Sequence, residues 1–272
     1  LTGPQRRRGL FILPSVFTAG NIAAGYYAIT QSLAGSASAP QHFNYAALAI
    51  GFAIPFDAID GRIARMTNTT SDFGKELDSL ADVITFGVAP SVLAFSWGFR
   101  SLAVVAGPLA QQRLIQLGAF VCFLFLICGA ARLARFNISH NPVALNPGRP
   151  GRKYFVGMPI PASAGMIAAV VHFFHGEPLA VWWMSTLWMA LVALIGFLMV
   201  STWRFWSGKE INLFHRHPFR LLIAVGAVVY ALVAFSEVIL LVTAIFYTCS
   251  GIFSRAAYSW TRRRKPATLQ DF

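Results

Sequence analysis

Repeated apolar runs close to 20 residues long, separated by short polar or basic connectors, restrict this chain more than any other feature of it. Such a run is the length a helix needs to cross the roughly 30 Å hydrocarbon core of a bilayer. No water is available there to satisfy backbone N–H and C=O groups, so each run has to close its hydrogen bonds within itself, as a helix. Of the 272 residues, 56% are hydrophobic and only 12% charged, against roughly a quarter charged in a soluble domain. Little length remains for a separate soluble unit. The expectation is one all-α, polytopic membrane domain over residues 1–272.

In order, residues 1–14 read as a basic, amphipathic lead-in on the cytoplasmic surface, and spans follow at about 15–34, 43–65, 75–98, 113–135, 157–174 and 180–202. A basic, aromatic connector occupies 203–220. Residues 221–258 are too long for one crossing, and Glu237 marks a turn between a seventh and an eighth span before the basic tail at 259–272. Gly87 and Pro90 predict a local kink or a close helix contact in the third span, and Pro159 and Pro161 an irregular, protein-lined start to the fifth.

The net charge of +12, from 22 basic and 10 acidic residues, would suggest a nucleic-acid binder in a soluble protein. Here the basic residues flank apolar runs, so they read as cytoplasmic orientation signals and contacts to anionic lipids, with no nucleic acid implied. With the N-terminus cytoplasmic, eight spans put most Lys and Arg on that side, Arg100 and Arg113 being the chief exceptions. Cys122, Cys128 and Cys249 lack metal or disulfide spacing and read as buried apolar groups.

One stretch breaks the apolar pattern. Residues 57–82 place Asp57 and Asp60 three apart at the end of the second span, and Asp78 and Asp82 four apart at the start of the third. Each pair shares a helix face. Carboxylates crowded in a low dielectric repel and call for a cation, most simply Mg²⁺ or Mn²⁺, which take oxygen ligands. Gly61 and Ala64 leave room on one face for a phosphate or ribose, and Arg65 is suited to a phosphate oxygen. These groups together fit phosphoryl or phosphatidyl transfer, with one carboxylate free to accept a proton from an alcohol.

The run Asp57, Asp60, Gly61, Ala64, Arg65, Gly74, Asp78, Asp82, with its eight residues between Arg65 and Gly74, resembles the full signature of the CDP-alcohol phosphatidyltransferase family. That resemblance implies a six-span core over about 15–202 and transfer from a CDP-linked donor to an alcohol, with release of CMP. It implies a two-metal Mg²⁺ or Mn²⁺ centre on Asp57, Asp60, Asp78 and Asp82, with Asp82 as the base and Gly61, Ala64, Arg65 and Gly74 on the nucleotide and diphosphate side.

The wider sequence resembles the bacterial and archaeal branch of that family that uses serine, in LPSVFTAGNIAAGY, FGVAP, GAARLARFN and GMPIPASAG. The branch's usual Pro-Asn is Pro14-Ser15 here, while Thr18 and Asn21 remain to approach the cytidine or ribose. The resemblance implies CDP-diacylglycerol and L-serine as substrates and a prokaryotic inner membrane, and the Lys/Arg asymmetry puts the site on its cytoplasmic side. Arg132 and Arg135 are three apart on the fourth span, open to serine carboxylate, lipid phosphate or headgroups. Asn137, Arg149, Arg152 and Lys153 would complete a polar mouth. Glycerol phosphate, inositol phosphate or choline are alternative acceptors, and a cation transporter is an alternative class, disfavoured because the acids cluster at one edge. Small-residue faces suggest a membrane homodimer.

Overall fold

The computed structural model describes residues 5–67, 72–102, 107–138, 154–206 and 234–264; at 5–15, 60–67, 72, 154, 206 and 256–264 it gives the backbone without side chains. The helices are α1 (Gln5–Ala34), α2 (Gln41–Thr67), α3 (Asp72–Asp82), α4 (Ala89–Gly98), α5 (Pro108–Ile138), α6 (Ile160–Phe173), α7 (Trp182–Val200) and α8 (Ser236–Arg264). The chain is therefore all-α in character, as its apolar runs require. Two features depart from the sequence expectation. α1 runs unbroken from Gln5, so the basic lead-in belongs by secondary structure to the first apolar helix. In addition, β1 (Tyr154–Val156) pairs antiparallel with β2 (Arg204–Trp206), tying the segment before α6 to the one after α7.

Four helical stretches are long and apolar enough to cross a membrane: Phe73–Gly98, Pro108–Ile138, Trp182–Val200 and Ser236–Arg255. The eight expected spans are thus met in part among the described residues. α1 and α2 are long enough, but Thr18, Asn21 and Gln31 on one and Gln41, Asn44 and Asp57 on the other make them more polar. α6 is apolar but has only 14 residues. The proposed seventh span, most of the 203–220 connector, the mouth residues Arg149, Arg152 and Lys153, and most of the basic tail lie outside the described residues. α8 starts at Ser236, next to Glu237, but the span that the expected turn would follow lies outside the described residues.

α1 packs along α2, α2 along α6, and α5 along α7, with α4 among them. Small residues make this closeness possible: Ala46, Ala47 and Ala53 of α2 and Ala164 and Ala168 of α6 are all buried. The large buried side chains Phe43, Phe86, Trp97, Phe125, Ile167 and Ile195 fill the middle. Phe52, Phe120, Leu187, Phe246 and Phe253 point outward, Phe246 being 75% exposed. An apolar exterior on this scale needs lipid around it.

The expected kink takes a definite form. Between α3 and α4 the chain makes a π-helical turn, Val83–Val88, in which the Ala89 N–H bonds Ile84 O, five residues back. Pro90 has no N–H to offer the carbonyl of Phe86, and a wider turn accommodates that loss. At the start of α6, Gly157 adopts φ +76°, its N–H bonding Trp203 O at 2.8 Å, and the Met158 N–H bonds Leu198 O at 3.0 Å. A side chain at Gly157 would collide with Met199 O and Ser201 O, so both the conformation and the space require glycine. This non-helical backbone is tolerated because protein surrounds it.

Candidate metal and phosphate site

The C-terminal half of α2 delivers Asp57, and α3 delivers Asp78 and Asp82 on one face, four residues apart. One carboxylate oxygen from each of the three lies within 4.8 Å of the other two, and all three residues are half-buried. At an effective dielectric of about 20, two unit charges at such a separation repel by roughly 3 kcal/mol. Asp82 is in side-chain hydrogen-bond contact with Asp57, whereas its Oδ1 is buried with no partner. Two carboxylates in such contact need a proton or a cation between them. An all-oxygen donor set with an unpartnered oxygen fits one hard divalent cation such as Mg²⁺ or Mn²⁺.

Of the other signature residues, Gly74 is half-buried in the first turn of α3, one helical turn before Asp78. Asp60, Gly61, Ala64 and Arg65 lie on the helical course of α2, but their side chains fall outside the described residues. The structure therefore brings three of the four acids together.

Thr18 and Asn21 are both buried, at 4% and 2% exposure, on α1, which packs against α2, α3, α4 and the π turn. Neither Oδ1 nor Nδ2 of Asn21 has a hydrogen-bond partner, which is costly for an amide at this depth. From α5, Arg132 points inward and is 8% exposed, so it does not snorkel to the surface. It lies within electrostatic reach of Asp82, and its Nε is buried without a partner. Arg135, a turn later, donates from Nη1 to Val200 O at 3.1 Å, while Nη2 is buried and unpartnered beside Gly157. Asn137 is exposed and donates to Ser79 Oγ at 2.9 Å, beside Asp78.

Two residues near this site escaped the sequence reading. Tyr247 of α8 lies within electrostatic reach of Arg132 and stacks on Phe205 of β2, with ring centroids 5.8 Å apart. Thr85, in the π turn, donates to Asn21 O. Both contacts join segments distant in sequence. Only the oddity of a Tyr and a Thr in apolar runs could have drawn attention to them.

At the other end of the bundle, His172 of α6 contacts Asn44 Oδ1 of α2 through Nδ1 at 2.6 Å and Ser236 Oγ of α8 through Nε2 at 2.9 Å. His175 meets Glu237 at 3.3 Å. Asn44 and Asp57 are 13 residues apart on α2, so about 20 Å of helix separates these histidines from the acids. Neither histidine joins the acidic cluster.

A membrane-type helical bundle with a gathered acidic triad, flanked by the inward Arg132, has the parts of a metal-dependent transferase acting on phosphate esters. The CDP-alcohol phosphatidyltransferase profile matches residues 11–195, and the chain belongs to that family and catalyses its kind of transfer. Among individual relatives, the chain is 38% identical over 209 residues to the CDP-diacylglycerol–serine O-phosphatidyltransferase of Helicobacter pylori strain 26695, a match covering 75% of each. The Saccharomyces cerevisiae enzyme of the same name is 33% identical over 150 residues, 55% of this chain and 49% of the relative. An archaetidylserine synthase of Methanothermobacter thermautotrophicus is 35% identical over 161 residues, 58% and 56% of the two chains.

Proposed function

We propose that this protein transfers the phosphatidyl group of CDP-diacylglycerol to the hydroxyl of L-serine, giving phosphatidylserine and CMP. The observation that carries the reading is the meeting of Asp57, Asp78 and Asp82 beside the inward-facing Arg132. Similarity to serine-using relatives supports the acceptor.

Asp57, Asp78 and Asp82 would hold a divalent cation, and with Asp60 the signature has donors enough for two. The bound metal supplies charge neutralisation for the diphosphate and its leaving oxygen. Thr18 and Asn21 would receive the cytidine or ribose, and Gly61, Ala64, Arg65 and Gly74 the diphosphate. Arg132 and Arg135 offer charge-assisted hydrogen bonds to the serine carboxylate and the lipid phosphate. Asp82 accepts the proton of the serine hydroxyl as that oxygen bonds to the lipid-side phosphorus. The bond from this phosphorus to the bridging oxygen breaks, and CMP departs with the electron pair.

The acids sit at the end of the bundle where α2 finishes and α3 begins, flanked by Arg65 and Lys75. Such flanking charges support a cytoplasmic site in an eight-span prokaryotic membrane protein whose core is about 15–202.

The test is CMP release by the purified chain with CDP-diacylglycerol and Mn²⁺ or Mg²⁺, offered serine, glycerol phosphate, inositol phosphate or choline in turn. Turnover with serine is expected to exceed the others. Rapid turnover of a different alcohol with none of serine would overturn the acceptor while leaving the family chemistry in place.

A further inference from the structure

The buried hydroxyls of this bundle mostly bond to carbonyls of their own helix or of the residue that caps it. Ser32, Ser163 and Thr248 return theirs to the carbonyl four residues before, at 2.7, 3.0 and 2.8 Å. Thr85 does not. It is fully buried, and its Oγ1 donates across to Asn21 O on α1 at 2.8 Å, 64 residues away in sequence. The π turn that holds Thr85 alters the usual spacing of donors and carbonyls around it.

α1 is shaped to receive this contact. Gly25, one turn beyond Asn21, lies directly against Thr85: a Cβ at Gly25 would be 2.6 Å from Thr85 Oγ1 and 2.9 Å from its Cα. Separations under 3 Å mean that any larger residue there would push the two elements apart. The residue whose carbonyl is held is also the one whose buried side-chain amide has no partner on either atom. Asp82, with its unpartnered Oδ1, ends α3 three residues before Thr85. One hydrogen bond and one glycine contact thus join the helix bearing an unpartnered amide to the element that continues from the acids.

We propose that Thr85 is a positioning residue that fixes the setting of the Asn21 amide against Asp82, so that one nucleoside diphosphate engages both. It acts through those two residues and the Gly25 contact. The inference rests on the reading of CDP-diacylglycerol as the donor, and it assigns to the π turn the task of holding the nucleotide side and the metal side of the site in register.

The experiment compares Thr85→Val, Thr85→Ser and Gly25→Ala in the full purified chain. It measures KM for CDP-diacylglycerol, KM for serine, and calorimetric binding of CMP in the presence of Mg²⁺. Thr85→Val is expected to raise KM for CDP-diacylglycerol about three- to tenfold, the worth of one buried hydrogen bond. CMP binding should weaken by the same factor, with KM for serine unchanged. Thr85→Ser keeps the hydroxyl and should restore both values. Gly25→Ala should reproduce the Val pattern, and it carries the comparison should the Val variant not fold. A fall in kcat alone, equal shifts in both KM values, or failure of Ser to restore would overturn the inference. A wild-type protein that releases no CMP from CDP-diacylglycerol with any acceptor would overturn the donor reading instead.

Discussion

The two ends of this bundle handle buried polar groups in opposite ways. At the α2 N-terminal end both ring nitrogens of His172 have partners, and His175 meets Glu237; among the described residues there, the Trp97 Nε1 is an exception. At the acid end Asp82 Oδ1, both amide atoms of Asn21, Arg132 Nε and Arg135 Nη2 are all buried without a hydrogen-bond partner. A buried polar atom left unpaired costs about 1–3 kcal/mol, and a charged one more. On the function proposed above, the first end serves cohesion and the second awaits a ligand that supplies the missing bonds.

The largest expected effect comes from the acids. Asp82→Asn should lower CMP release about 100- to 10,000-fold through loss of the base. It should also relieve repulsion in metal-free protein, so thermal unfolding in EDTA should occur no lower than in wild type, while the stabilisation by added Mn²⁺ shrinks. A variant with normal turnover would remove Asp82 from the role of base. A smaller effect is expected from Asn21→Leu, which deletes two unpartnered atoms at similar volume. KM for CDP-diacylglycerol should rise about tenfold, with stability of the unliganded chain unchanged or improved. A loss of stability with KM intact would make Asn21 a structural amide like Asn44. The smallest change in catalysis belongs to the opposite end: Asn44→Leu strands His172 Nδ1 and should cost about 1–3 kcal/mol in stability. Its kcat and both KM values should match wild type, and a selective kinetic defect would break the contrast between the two ends.

What could be read from the sequence follows from how local each signal is. Helical periodicity put Asp78 and Asp82 on one face, and the apolar runs located most of the helices, because both depend on neighbours within a turn or two. Pro90 and Gly87 gave warning of a disturbance, though not that it would be a π turn. The Thr85 bond to Asn21, the pairing of β1 with β2 and the approach of Tyr247 to Arg132 join segments 48 or more residues apart, for which a single sequence carries no spacing rule. The continuity of α1 was hidden by the basic composition of residues 5–8, which resembles a surface segment whether or not the helix continues through it.

The brevity of α6 bears on how a water-soluble alcohol meets a lipid phosphate. Its 14 residues rise about 21 Å, well short of the roughly 30 Å of hydrocarbon that a full crossing must traverse. The far end of α6 is fixed by His172 beside Asn44, so the shortfall falls at the acid end, where residues 154–159 run non-helically beneath Arg135. The backbone that takes its place is held by the carbonyls of Leu198 and Trp203 and lies against those of Met199 and Ser201, so protein rather than hydrocarbon lines this end of α6.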